Sequence, residues 1–130
     1  MTMDTKQIIA NHITNRQLKI SVAQFVKQLE AVLKQPNAKM VRSGDVLFLF
    51  TADGDAATVY IINGTGPVGY IKGTKQFVEL ARKLGFKYIK MRVTDVESAR
   101  KIATASGLRN VVFDMFKEGA TDPYMMTAEV

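Results

Sequence analysis

The chain has no cysteine, no tryptophan, three prolines and a single histidine in 130 residues. Without a thiol there is no disulfide, no thiolate metal ligand and no cysteine nucleophile. With one histidine, His12, in the first helical segment, no imidazole-based triad or metal pattern forms. The sequence places it on a helix surface or in a local hydrogen bond. The zinc-protease, calcium-loop, phosphate-loop and dinucleotide fingerprints are all missing. The longest apolar run, Val46 to Phe50, is far below the ~18 residues of a membrane-spanning helix. The opening MTMDTKQ lacks the basic and apolar regions of a signal peptide. These gaps point to a cytoplasmic protein with no membrane partner and no metal.

What remains is an ordinary globular composition, 47% hydrophobic and 23% charged, long enough for one domain over residues 1–130 with a real core. Residues 1–20 read as an N-terminal helical extension. The net charge of +6 is uneven: residues 72–101 carry nine bases against three acids, while 102–130 carry two against four. A basic middle suits a phosphate-bearing ligand, nucleic acid, an acidic protein surface or simply solvent.

Hydrophobic periodicity supplies the elements. Residues 4–15 form a short helix with Ile8, Ile9 and Ile13 on one side. Ser21 and Gln24 make a capping box, and Val22, Phe25, Val26, Leu29, Val32 and Leu33 follow at helical spacing, ending at Pro36-Asn37. Val46–Phe50 and Ala57–Ile62 read as strands joined by a hairpin turn at Asp53-Gly54-Asp55. Residues 63–73 hold four glycines and Pro67 and read as a loop, with room for a short strand at 68–71. Thr74 then caps a helix that turns Phe77, Leu80, Ala81 and Leu84 inward and stops at Gly85. Along Lys87–Thr94, Ile89, Met91 and Val93 alternate with Tyr88, Lys90 and Arg92. Asp95 caps a helix with Val96, Ala99, Ile102 and Ala103 on its apolar stripe and Gly107 at its end. Residues 111–116 and 124–130 close the chain as a strand pair. A helix between strands requires a crossover, so the sheet is mixed, mostly antiparallel, with helices on both faces.

The stretch 80–108, with Leu84-Gly85-Phe86, the strand Tyr88–Val93 and the helix ending Ser106-Gly107-Leu108, resembles the acetyl-CoA-binding half of the GNAT N-acetyltransferase fold. By topology the likeness extends over 20–130, with the family's first strand absent or reduced. It implies an α/β, acyl-CoA N-acyltransferase-like fold. It also implies a coenzyme A pyrophosphate site where the Gly-rich loop meets the main helix: Gly66, Gly69, Gly73, Thr74 and Lys75. Family enzymes carry Gln/Arg-x-x-Gly-x-Gly/Ala there; here the glycine spacing differs and Pro67 removes one donor. The family's thiolate-protonating Tyr falls at Ala103, which holds no proton to give, and its helix-start Asn falls near Val96. No catalytic residue is therefore assigned.

The resulting expectation is a GNAT-like binding or assembly module without catalytic activity and without a cofactor. Comparable small proteins among tailed bacteriophages imply a virion-associated or accessory role, in virion or host cytoplasm. Its partner, a protein or a second copy, is expected to meet the last strand, Tyr124, Met125 and Met126, as an open edge, together with Lys90 and Arg92. The alternatives are an N-acetyltransferase using acetyl-CoA, with strand 88–94 holding the pantetheine arm and Tyr124 or water as the acid, and a nonspecific nucleic-acid-binding protein.

Overall fold

A computed structural model describes residues 3–130, with the backbone alone at Pro67 and Val68. The order is α1 (Thr5–Asn15), α2 (Val22–Leu33), β1 (Ala38–Ser43), β2 (Val46–Asp53), β3 (Ala56–Asn63), α3 (Pro67–Lys83), β4 (Tyr88–Val93), α4 (Val96–Ala105), β5 (Arg109–Met115) and β6 (Tyr124–Glu129). The six strands form one sheet in the order β1-β2-β3-β4-β6-β5. Every neighbouring pair is antiparallel except β3–β4, which α3 joins as a crossover. Among the described residues no strand precedes α1, as the resemblance implied.

Strand β2 is apolar throughout because both of its faces are covered. Val46, Phe48 and Phe50 pack with Phe77, Val78 and Ala81 of α3 and Ala99 and Ala103 of α4. Leu47 and Leu49 pack with Ile8 and Ile9 of α1 and Phe25 and Leu29 of α2. The Phe77 ring lies 5.4 Å from each of Phe48 and Phe50. Thus α3 and α4 cover one face, and α1 and α2 cover the β1–β3 half of the other. No helix among the described residues is long and apolar enough to cross a membrane.

The element ends follow local chemistry. Asp4 with Gln7, and Ser21 with Gln24, form reciprocal capping boxes on α1 and α2. Helices α3 and α4 both end in Schellman motifs. Gly85 and Gly107 take φ +86° and +80°, and the next amides, Phe86 and Leu108, donate back to Ala81 and Ala103, each at 3.0 Å. Both hairpin and helix stops match the sequence reading.

Three expectations fail. Residues 38–43 form a strand the sequence concealed: Lys39, Met40 and Arg42 face solvent on an edge, where charge replaces alternation. Residues 67–73 are helix, neither loop nor strand. Pro67 at the first helical position needs no N–H. Gly69 and Gly73 serve close approach rather than turning. A Cβ at Gly69 would sit 1.8 Å from Thr65 Oγ1, and one at Gly73 would meet Val46 Cγ1 at 3.0 Å. The N-cap is Gly66, eight residues before Thr74, and Leu84, expected to face inward, is the exposed C-cap. Finally, β6 is no edge: it lies between β4 and β5, so the open edges are β1 and β5.

Candidate functional site

Strands β3 and β4 pair only from Ala56↔Tyr88 to Val59↔Met91. Beyond that point β3 runs on with β2 to Asn63, and β4 runs on with β6 to Val93. The two strands therefore part like a V. Main-chain groups of residues 60–63 and 92–93 that would face a parallel neighbour have no strand partner across the gap, and the Asn63 amide turns to His12 instead. The N-terminus of α3 stands at its mouth. Gly66, the N-cap, takes φ +88° and offers no side-chain cap, and the first helical turn has amides without intrahelical acceptors.

A cavity of about 380 Å³ fills this gap, within the size range of small-molecule sites. On the α3/α4 side Gly66, Tyr70, Val93, Ser98, Ala99 and Ile102 line it. On the α1 side the lining includes His12, Asn15, Arg16, Thr94 and Asp122. One cavity thus reaches both faces of the sheet through the gap between its strands.

Its polar groups are held by specific bonds. Asn63 Oδ1 accepts from the Thr65 amide at 3.0 Å and the Thr65 hydroxyl at 2.9 Å, while its Nδ2 donates to the Gly66 carbonyl. This turn delivers the chain from β3 into α3. The side chain of His12 is buried and bonded to β3, neither on the helix surface nor in a local hydrogen bond as the sequence suggested. Its Nδ1 accepts from the Asn63 amide at 3.2 Å, which assigns the proton to Nε2, 3.1 Å from the Tyr60 hydroxyl. Burial, aided by the Arg16 charge, pushes its pKa down to about 4. His12 is neutral near pH 7 and a weak base. Burial pushes the Tyr70 phenol up to about 12, so Tyr70 stays protonated and able to donate a hydrogen bond.

The α1-side rim is a charged network. Arg16, the C-cap of α1, pairs with Asp122 Oδ1 and donates to Thr94 Oγ1 at 3.1 Å. The Thr94 hydroxyl donates to the same carboxylate at 2.7 Å. Arg92 donates twice to the Asp122 carbonyl and stacks over Phe116 at 4.6 Å. Asp95 caps α4 by accepting from the Ser98 amide at 3.2 Å and hydroxyl at 2.6 Å, bonds that hold its carboxyl below the usual range.

The sequence-derived site residues separate. Gly66 lines the gap and Gly69 lies in the adjoining first turn of α3. Thr74 caps nothing: it is buried mid-helix, its hydroxyl donating to the Tyr70 carbonyl at 2.9 Å. Gly73 packs on β2, and Lys75 is exposed two turns into the helix. Of the interaction residues, Met126 is buried, Tyr124 and Met125 are half-buried inside the sheet, and Lys90 and Arg92 lie on the face opposite α4. Tyr124 does not line the gap, whereas Tyr70 does. Ala103 is fully buried. Arg16 and Asp122 escaped the sequence reading, and His12 and Tyr70 were not assigned to this site; the four lie far apart along the chain and carry no shared spacing. Among the described residues no cluster of histidine and carboxylates suits a metal ion.

No family model matches the chain, and no curated protein matches it in sequence. Solved structures do match in fold. The ribosomal-protein-S18-alanine N-acetyltransferase of Escherichia coli superposes with a TM-score of 0.61 at 14% identity, over 100% of this chain and 92% of that one. A probable GNAT-family acetyltransferase of Chromobacterium violaceum gives 0.65 at 10% identity, over 96% and 78%. The microcin C7 self-immunity acetyltransferase, in complex with acetyl-CoA and AMP, gives 0.59 at 11% identity, over 95% and 82%. The mixed, mostly antiparallel sheet, the helix order and the structural neighbours agree that this chain has a GNAT-like fold.

Proposed function

We propose that the gap between β3 and β4 binds a coenzyme A thioester on its α3/α4 side and presents the acyl carbon to an amine arriving from the α1 side. The carrying observation is the single cavity that reaches both faces of the sheet where the strands part. The end of β4 past Met91, unpaired on its β3 side, suits the amides of a pantetheine arm, paired like an added strand. The α3 N-terminus offers amides and a positive dipole end to a phosphate. The structural neighbour holding acetyl-CoA lends the choice of thioester its support.

The chemistry left to the protein is orientation. The thioester supplies the activated acyl group, and Tyr70 is the donor placed to hydrogen-bond a departing thiolate. Its pKa of about 12 makes full proton transfer from it unfavourable, so the thiolate takes its proton from the amine or from water. His12, with Nδ1 occupied and a pKa near 4, is no base for an ammonium. The amine must therefore lose its first proton to solvent, and acyl transfer should rise with pH as the free amine forms.

A second reading keeps the fold as a non-catalytic module. It is favoured by the buried Ala103 where an acid is expected and by the Arg16–Asp122 bridge across the acceptor side. Assembly would then run through the exposed β5 edge, with Val112 and Met115, rather than through β6. One calorimetric titration separates the two. The first reading expects micromolar acetyl-CoA binding, and free coenzyme A of similar affinity because phosphate and pantetheine carry the contacts. No heat at millimolar acetyl-CoA leaves the non-catalytic module.

A further inference from the structure

Arg16 and Asp122 pair directly across the α1-side mouth of the cavity, with side chains 25% and 15% exposed. Each comes from a different part of the fold: Arg16 from the end of α1, Asp122 from the loop before β6. Two other charged groups line the cavity among the described residues, and both are engaged elsewhere. Asp95 is committed to the N-terminus of α4, and Arg92 to the Asp122 carbonyl and the Phe116 ring. One exchangeable cation and one exchangeable anion therefore stand side by side where the acceptor enters.

A ligand with a single charge fits such a mouth poorly. An ammonium that takes Asp122 strips Arg16 of its partner, and a carboxylate that takes Arg16 strips Asp122. Each leaves a largely covered charge unpaired, which costs more than a mobile surface pair returns. A ligand bearing ammonium and carboxylate on one carbon exchanges one ion pair for two. Arg16 turns its planar fork to the ligand carboxylate, and Asp122, still held by Thr94, accepts from the ligand nitrogen.

We infer that the acceptor subsite takes a zwitterionic α-amino acid, its carboxylate on Arg16 and its nitrogen on Asp122. This rests on the acyl-donor reading above. The step balances without a further reactant. The ammonium gives one proton to water and its lone pair attacks the thioester carbonyl. The C–N bond forms and the C–S bond breaks. The second nitrogen proton ends on the sulfur, giving an N-acyl amino acid and free thiol.

The test compares three small ligands that differ by one group: L-alanine, ethylamine and propionate. Each is titrated into protein saturated with coenzyme A and, separately, into free protein. L-Alanine should bind about 30-fold tighter than either half-ligand, the gain expected of an added charge-assisted contact. Arg16→Met and Asp122→Asn should each reduce that preference to about threefold or less. Both variants should keep the wild-type affinity for coenzyme A, which also certifies that they fold. Equal binding of the three ligands, with coenzyme A bound normally, overturns the subsite and leaves the donor site standing. Failure to bind coenzyme A overturns the donor reading instead; the free-protein titration then still decides the subsite by the same preference.

Discussion

His12 is a buried imidazole, and its neighbours fix the sign of its effect. It touches Phe25 and Tyr60, accepts from the Asn63 amide, and feels the Arg16 charge against that of Asp122. Its folded pKa of about 4 lies below the ordinary imidazole value of 6.5, so between those values the unfolded chain binds more protons. Stability is then full above about pH 6.5 and declines as pH falls toward 4, by at most about 3 kcal/mol from this group. Urea midpoints for the wild type and for His12→Gln, taken from pH 7 to pH 4, should show the extra acid sensitivity only in the wild type. Parallel curves would mean that the imidazole is hydrated. Nothing along the chain announces this, because a lone histidine on a helix says nothing of the Tyr60 and Asn63 that close over it. The C-terminal half of β3 supplies both partners, and only the folded sheet brings them to α1.

At the scale of elements, the strong periodic segments were legible. The capping box of α2, the apolar run of β2, the alternation of β4 and the glycine stops of α3 and α4 each state their conformation locally. The start of α3 was not legible, because its glycines looked like turn chemistry. Gly73 takes ordinary helical geometry; its lack of a side chain lets α3 approach Val46 and Phe48 of β2. Gly73→Leu should therefore overpack that contact and lower stability by about 1–3 kcal/mol, measured by denaturant unfolding, although leucine is the better helix former. A stabilised variant would return residues 67–73 to the loop that composition suggested. Strand β1 was hidden for the opposite reason: an edge strand carries charge where a central strand carries valine or isoleucine.

Across the whole molecule, the functional geometry arises from topology more than from any motif. A parallel pair flanked by antiparallel neighbours parts after four register positions, and the crossover α3 starts at the opening. The pattern of helices, strands and stops was enough to place the chain near the GNAT fold, yet the residues that line the gap come from α1, β3, α3, β4, α4 and the loop before β6. The bases of 72–101 mostly populate the outer faces of α3 and α4, where Lys72, Lys75, Arg82, Lys83, Arg100 and Lys101 are exposed. Lys72 and Lys75, in the half of α3 nearer the gap, should draw a polyphosphate ligand in more strongly at low salt. The most direct test of the donor site is an acetyl-CoA titration followed by amide chemical shifts of labelled protein. The account predicts that shifts concentrate at Gly66–Tyr70, Arg92–Thr94 and Ser98–Ile102, leaving Arg82, Lys87 and Arg109 at the far end of the sheet unmoved. Shifts confined to that far end, or none at millimolar ligand, would contradict it.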